Sequence, residues 1–410
     1  MWLPRTRSAP AQAAGAGAHL IELDPQQRRT LIWAGLAVTL SAFNGSVLIL
    51  ALPAVANDFG AAVPAIANLG SVLAFGAIGA LPLSALADKV GRRRLIAVGI
   101  AGFSAANFLN AFVPSLMALA GLRLVAVCFE VTVAGVASAL IVEEAPAIHR
   151  GLAVSALAVF GGFGAGITVF AYPLIAPHWR WLFEVGGVGL AAAPLVWKFL
   201  PEGKTWQGVT PADSTVRLLW TRPWRFRLVV LTAVTAIGSV LVEPAGLLFT
   251  LFASRDLHMG PAPISALIVA SAVAGFLSYL AGGFFTDRYG RRRPAFWLVA
   301  AEYVGAAGSF VTGTIGFFAG NVLWSAAASA ATPVFGAWDG ELYPTRARAT
   351  AVSINSIAAA VGGITGLQLV GLLAPRIGLG DAIGVLGLAV LLSAGLFLLL
   401  PETKGQPLPE

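Results

Sequence analysis

Asp88-Lys89-Val90-Gly91-Arg92-Arg93-Arg94 returns as Asp287-Arg288-Tyr289-Gly290-Arg291-Arg292-Arg293, 199 residues later in a chain of 410. Each copy lies between two long apolar stretches. A charged turn recurring at the same place in two apolar halves marks a membrane-embedded unit that has been doubled. Three further landmarks hold the register. Glu143-x-x-Pro146-x-x-x-Arg150 returns as Glu341-x-x-Pro344-x-x-x-Arg348 at an offset of 198. Ala176-Pro177 returns as Ala374-Pro375 at 198, and Pro201-Glu202 as Pro401-Glu402 at 200. Four landmarks in one order and one register point to duplication rather than coincidence.

The composition fixes the solvent. Hydrophobic residues make up 58% of the chain and charged residues 11%, against about 25% charged in a soluble domain. Such a chain faces lipid. A span takes about 20 apolar residues, and twelve segments qualify: 30–56, 63–87, 94–113, 116–141, 151–174, 179–200, 228–253, 262–286, 294–317, 319–341, 349–373 and 380–400. The expected fold is an all-α membrane protein. Its twelve transmembrane helices form two six-helix bundles, residues 30–200 and 228–401, flanked by tails 1–29 and 402–410 and joined by a linker, 201–227. An even number of spans per half gives both halves one orientation, so the pseudo-two-fold axis runs along the membrane normal.

Net charge is +7, but its placement says more than its size. With the N-terminus in the cytoplasm, Arg180, Arg255 and Arg376 fall outside and Arg123 falls within a span; the other 22 of the 26 Lys and Arg lie on the cytoplasmic side. This positive-inside bias predicts cytoplasmic tails and linker and a plasma (inner) membrane location. It also argues against nucleic acid as a partner. Residues 1–28 lack the apolar core of a signal peptide, so span 1 is expected to serve as an uncleaved signal. Cys128 is the single cysteine, and His19, His149, His178 and His258 lie far apart. No intramolecular disulfide, metal site or cofactor is expected. In the linker, a helix capped at Asp213 or Ser214 would set Trp and Leu against Arg at the headgroup level; a solvated tether is the alternative.

On these motifs the chain resembles the major facilitator superfamily, from about residue 30 to 405. The family's signature between spans 2 and 3 reads Gly-x-x-x-Asp-Arg/Lys-x-Gly-Arg-Arg/Lys. It appears here as Ser84-x-x-x-Asp88-Lys89-x-Gly91-Arg92-Arg93 and as Gly283-x-x-x-Asp287-Arg288-x-Gly290-Arg291-Arg292. Ser84 departs from the usual glycine, which implies slightly looser packing of spans 2 and 11. The Glu-x-x-Pro-x-x-x-Arg landmarks and Pro401-Glu402-Thr403-Lys404 are similar to the sugar-porter branch and its metabolite–proton symporter relatives. Span 5 is rich in glycine but lacks the Gly-Pro pair of drug antiporters.

The physics of the turns can be read without the family. Gly91 and Gly290 permit a tight turn. Asp88 and Asp287 can sit at the N-terminus of a neighbouring helix. Arg92 and Arg291 find natural partners in Glu143 and Glu341, as the Asp residues do in Arg150 and Arg348. The resemblance implies that these groups latch the cytoplasmic side when the carrier faces outward.

Charged groups inside spans are costly, by about 2.5–3.5 kcal/mol on the insertion scale, and usually line a cavity. Arg123 and Glu130 share one face of span 4, two turns apart. About 10 Å of rise separates them, which reads as too far for a backbone-fixed pair; a substrate anion at Arg123 and a proton on Glu130 would suit that spacing. Glu243 precedes Pro244 in mid-span 7, where the proline is expected to break the helix beside a substrate or proton site. Asn44 stands where many relatives carry Asp, and it can bond a hydroxyl but cannot carry a proton. Glu302, in a span usually peripheral in this fold, reads as a packing contact. Trp338 and Asp339 read as gate contacts, and Trp33, Trp179 and Trp181 as interfacial anchors.

The expected function is secondary transport of a small polar organic solute (a sugar, organic acid or related metabolite) by alternating access, as a proton-coupled monomer. Drug or metabolite efflux is the alternative, and a sensor that borrowed the fold is a third reading. An enzyme is not expected, since the sequence shows no nucleophile–base pair, metal cluster or phosphate loop.

Overall fold

Backbone polar groups in lipid must be satisfied within the segment that carries them, which favours helices. In the computed structural model, which describes residues 24–144, 150–203, 218–344 and 347–405, every regular element is helical. The expectations for tail residues 1–23 and for a helix at Asp213 lie outside the described residues, as do the side chains of Asp88, Arg150 and Asp339.

The first half comprises span 1 (Pro25–Asp58), span 2 (Val63–Val90), span 3 (Arg92–Asn110), span 4 (Leu116–Glu144) and span 5 (Arg150–Ile175). Its span 6 is two helices, Trp179–Gly186 and Gly189–Phe199. The second half holds span 7 (Trp224–Arg255), span 8 (Pro261–Tyr289), span 9 (Arg292–Val311), span 10 (Gly313–Leu342) and span 11 (Arg348–Ile377). Span 12 is Leu379–Leu391, continued by a tighter turn at Leu392–Leu399. Of these twelve, 10 are long and apolar enough to cross a membrane by length and composition. Span 3 opens on three arginines, Arg92 to Arg94.

Local chemistry sets the ends. Span 1 starts at Pro25, whose missing N–H costs nothing in a first turn; the Asp24 N–H donates to the Gln27 side chain. Spans 2 and 8 stop at Gly91 (φ +99°) and Gly290 (φ +86°), a backbone region that favours glycine. One boundary differs from the sequence reading. Span 9 ends at Val311 and span 10 starts at Gly313 (φ +70°), about six residues before the expected break. The continuous apolar run Thr314-Ile315-Gly316-Phe317-Phe318 hides that turn from a hydropathy reading.

The halves repeat their packing: span 1 lies on span 5 as span 7 lies on span 11, and span 3 on span 4 as span 9 on span 10. Glycines make the closest of these contacts. A Cβ on Gly164 would overlap the Thr39 carbonyl of span 1, and one on Gly366 would overlap the Val240 carbonyl of span 7. The glycine clusters of spans 5 and 11 therefore serve close backbone packing here. Between the halves, span 2 meets span 11 and span 5 meets span 8, a pair related by the repeat.

Candidate functional site

The charged turns build two similar clusters, each inside its own half. In the first, Arg92 Nη1 meets Glu143 Oε2 at 2.5 Å. In the second, Arg291 donates to both Glu341 oxygens, at 3.0 and 2.7 Å, a two-point pairing that suits the guanidinium fork. Thr403 Oγ1 adds a hydrogen bond to Glu341 at 2.6 Å. Asp287 is exposed, and Arg348 lies half-buried at the start of span 11.

Two further carboxylates sit at helix N-termini. Glu402 accepts the Arg291 and Arg292 backbone N–H groups at 3.0–3.1 Å, at the start of span 9. Glu202 accepts the Arg93 N–H at 3.2 Å at the start of span 3. The start of a helix presents unpaired N–H groups and a positive dipole end, and the Pro-Glu landmark ending each half supplies the anion. A side chain at Gly290 would collide with the Glu402 carboxylate. Burial works to raise the pKa of Glu402, but bonds from the backbone N–H groups of Arg291, Lys404, Arg292 and Thr403 outweigh it and hold the group below its ordinary value.

On the face away from these turns, the two halves join. Arg255, ending span 7, donates to the Ala61 carbonyl and to Asn57 Oδ1, each at 3.2 Å. Thr250 Oγ1 donates to the Ile49 carbonyl at 2.5 Å. Ser265 Oγ donates to the Val169 carbonyl at 2.9 Å, and Gln368 donates to Ser71 Oγ at 2.8 Å. The hydrogen bonds that Thr250, Arg255, Ser265 and Gln368 make across the halves lie on this far side. On the charged-turn face, Arg92 pairs with Glu143, Arg93 with Glu202 and Arg291 with Glu341, each within its own half.

Glu243 of span 7 has its Cβ and Cγ against Gly363 of span 11. Glu243, Leu247 and Thr250 are spaced i, i+4, i+7 and share a face of span 7. Thr250 bonds span 1 and Leu247 lies against Gly70 of span 2, so that face looks across to the first half. Glu243, one turn nearer the charged-turn face, is exposed. The expected break at Pro244 is absent, since the helix runs unbroken from Trp224 to Arg255. Pro244 cannot bond the Val240 carbonyl, but that carbonyl packs against Gly366 of span 11. A neighbouring backbone thus covers the gap.

Arg123 and Glu130 are directly paired, contrary to the spacing argument. Arg123 Nη1 lies 3.1 Å from Glu130 Oε1, with side chains 2% and 8% exposed. Two long side chains reaching along one helix face close the two-turn gap. Asn107 of span 3 ties the group together: it accepts from Arg123 at 2.7 Å and donates to Asn44 Oδ1 at 2.7 Å and to Glu130 Oε1 at 3.1 Å. Asn44 Nδ2 donates to the Leu40 carbonyl at 2.8 Å. The cluster is buried between spans 1, 3 and 4. Asn107 is a member that the sequence reading does not single out; the available signal is a polar amide within the apolar span 3, at Ala105-Ala106-Asn107.

Two tryptophan expectations also change. Trp338 is 1% exposed and packs on Phe397, so it is core rather than gate. Trp179 is 3% exposed and donates to Asp58, so it anchors span 1 rather than the lipid interface.

The sequence pattern of the Major Facilitator Superfamily matches residues 34–251 and matches again over 228–410. The chain belongs to that superfamily. It is a membrane transporter protein of this type, not an enzyme. A candidate niacin/nicotinamide transporter of Bacillus subtilis (strain 168) is 26% identical over 92% of this chain and 97% of its own length. The gallate transporter of Pseudomonas putida is 28% identical over 45% of this chain and 42% of its own. The multidrug efflux pump LfrA of Mycolicibacterium smegmatis (strain ATCC 700084 / mc(2)155) is 32% identical over 45% and 37%. Among solved structures, a bacterial homolog of the human lysosomal transporter Spinster, inward-facing and unoccupied, superposes with TM-score 0.75 at 16% identity, covering 92% of this chain and 97% of that one. A D-xylose–proton symporter gives 0.74 at 17%, covering 93% and 100%. At these identities the structures speak to the fold alone.

Proposed function

We propose that this chain is a proton-coupled secondary transporter for a small organic acid or related metabolite, working by alternating access and drawn with its charged-turn face open to the cytoplasm. The observation that carries the reading is the set of hydrogen bonds that closes the far face. Hydrogen bonds join the halves on the far face, while the ionic clusters of the opposite face stay inside each half. A solute site between two like-oriented bundles would then be reached from the cytoplasm. The bias of Lys and Arg toward that face supports its cytoplasmic assignment, with both termini inside.

In this reading Glu243 is the carboxylate that meets solute or proton in the cleft. The buried Arg123–Glu130–Asn107–Asn44 cluster is held in reserve inside the first half, and its pair must open before either member can act. The Glu-x-x-Pro-x-x-x-Arg and Pro-Glu landmarks support a place near the metabolite–proton symporters. The Bacillus subtilis relative, matched over nearly its whole length and tied by name to niacin and nicotinamide, supports an organic acid or its amide over a sugar. The efflux relative matches under half of the chain.

The test is uptake of radiolabelled nicotinate and gallate by proteoliposomes under an imposed pH gradient. Gradient-driven accumulation of either, with Glu243→Gln abolishing accumulation but keeping solute exchange, supports the reading. Export of ethidium with no organic-acid uptake would transfer the chain to the efflux class.

A further inference from the structure

One ionisable group within the spans is absorbed neither by the buried cluster nor by the cleft. Glu302 sits ten residues into span 9, about 15 Å below the charged-turn face at 1.5 Å per residue. It is half-buried and lines a cavity of about 270 Å³ inside the second half. That volume holds several waters.

The walls give the cavity both a polarity and a direction. Ser239 of span 7, Tyr303 of span 9 and Asn355 of span 11 offer oxygen and amide groups in the same wall as the carboxylate. Asn355 lies seven residues into span 11, and Phe397 two residues before the end of span 12's last turn at Leu399. Both positions belong to the charged-turn side. The cavity therefore runs from mid-membrane toward that face and not toward the far face.

Charge separates this acid from the buried acid of the first half. There Glu130 is neutralised by Arg123 within a closed network. Around Glu302, spans 7, 10, 11 and 12 contribute only uncharged lining groups, and Tyr303 is the one other titratable group in the wall. No arginine, lysine or histidine lines the cavity among the described residues. A carboxylate at this depth without a cation is neutral only when it carries a proton, and a wetted cavity is the route by which that proton comes and goes.

We propose that Glu302 is an exchangeable proton site, in contact with the charged-turn side through this cavity when the far face is closed. A role in driving transport rests on the reading given above; the protonation itself does not.

The test needs no solute. Infrared difference spectra of the full chain in lipid, taken between acidic and alkaline buffer, report the carbonyl stretch of protonated carboxylic acids. The wild type is expected to show a pH-dependent band that is lost in Glu302→Gln and kept in Glu243→Gln. If Glu302→Gln does not fold, Glu302→Asp serves, since it moves the band rather than deleting it. A band unchanged by both variants, or no titrating band in the wild type, overturns the proposal. A band that responds to sodium at fixed pH overturns it in favour of a metal-cation site. A Glu302 band that titrates while neither nicotinate nor gallate follows the pH gradient would sink the transport reading and leave the proton site standing.

Discussion

Glu130→Gln removes the charge that balances Arg123 in the most enclosed polar cluster of the chain. The Arg123 side chain is 2% exposed, and its Nη1 is held by Glu130, Asn107 and the Asn44 carbonyl. After the change, Asn107 and the Asn44 carbonyl still accept hydrogen bonds, but nothing there cancels the guanidinium charge. Breaking a buried pair by removing one member costs about 3–5 kcal/mol, whereas replacing both members with apolar groups of similar volume is often neutral. The double variant Arg123→Met with Glu130→Met should therefore recover most of the loss, with a residue from the unpaired Asn107 of about 1–3 kcal/mol. Thermal unfolding of the purified chain in one detergent, followed by the fluorescence of a thiol dye at Cys128, ranks the variants. The expected order from most to least stable is wild type, double variant, then Glu130→Gln. A Glu130→Gln protein as stable as wild type would mean that the pair is not buried as drawn. Additive losses in the double variant would mean that the two side chains do not interact.

Other outcomes follow from the same structure. Glu402 has a folded pKa below its ordinary 4.5, so the stability it contributes is present above that value and lost as pH falls through the lower folded value; Glu402→Gln should flatten this acid limb in a pH series of melting curves. Gly366→Leu would drive a side chain into the Val240 carbonyl and part spans 7 and 11, and size-exclusion profiles should show aggregated material in place of the wild-type peak. Arg255→Ala removes two hydrogen bonds across the far face. At about 1 kcal/mol for each bond, the population open on that face should rise roughly thirtyfold, read as faster labelling of Ala61→Cys, buried when the face is closed, by an impermeant thiol reagent.

The fold was legible because its largest features are one-dimensional. Apolar length marks spans, and the fixed offset of the Asp88 and Asp287 turns marks the doubling. The site was legible only in part, because side-chain reach and cross-helix partners are not. The seven-residue spacing of Arg123 and Glu130 suggested separation, yet two extended side chains bridge it. Glu202 and Glu402 belong to landmarks visible in the sequence, but their partners, the first N–H groups of spans 3 and 9, lie more than a hundred residues away. Pro244 was legible as a missing hydrogen bond, while the neighbour that covers it, Gly366, is fixed by tertiary packing.

Paired distance measurements test alternating access most directly. In a Cys128→Ser background, one spin-label pair at Lys89→Cys and Arg288→Cys reports the charged-turn face, and a second at Ala62→Cys and Asp256→Cys reports the far face. The account predicts opposite changes: under conditions that shorten the first distance, the second lengthens. Two distances that stay fixed, or that move in the same sense, under every solute and pH condition would contradict it.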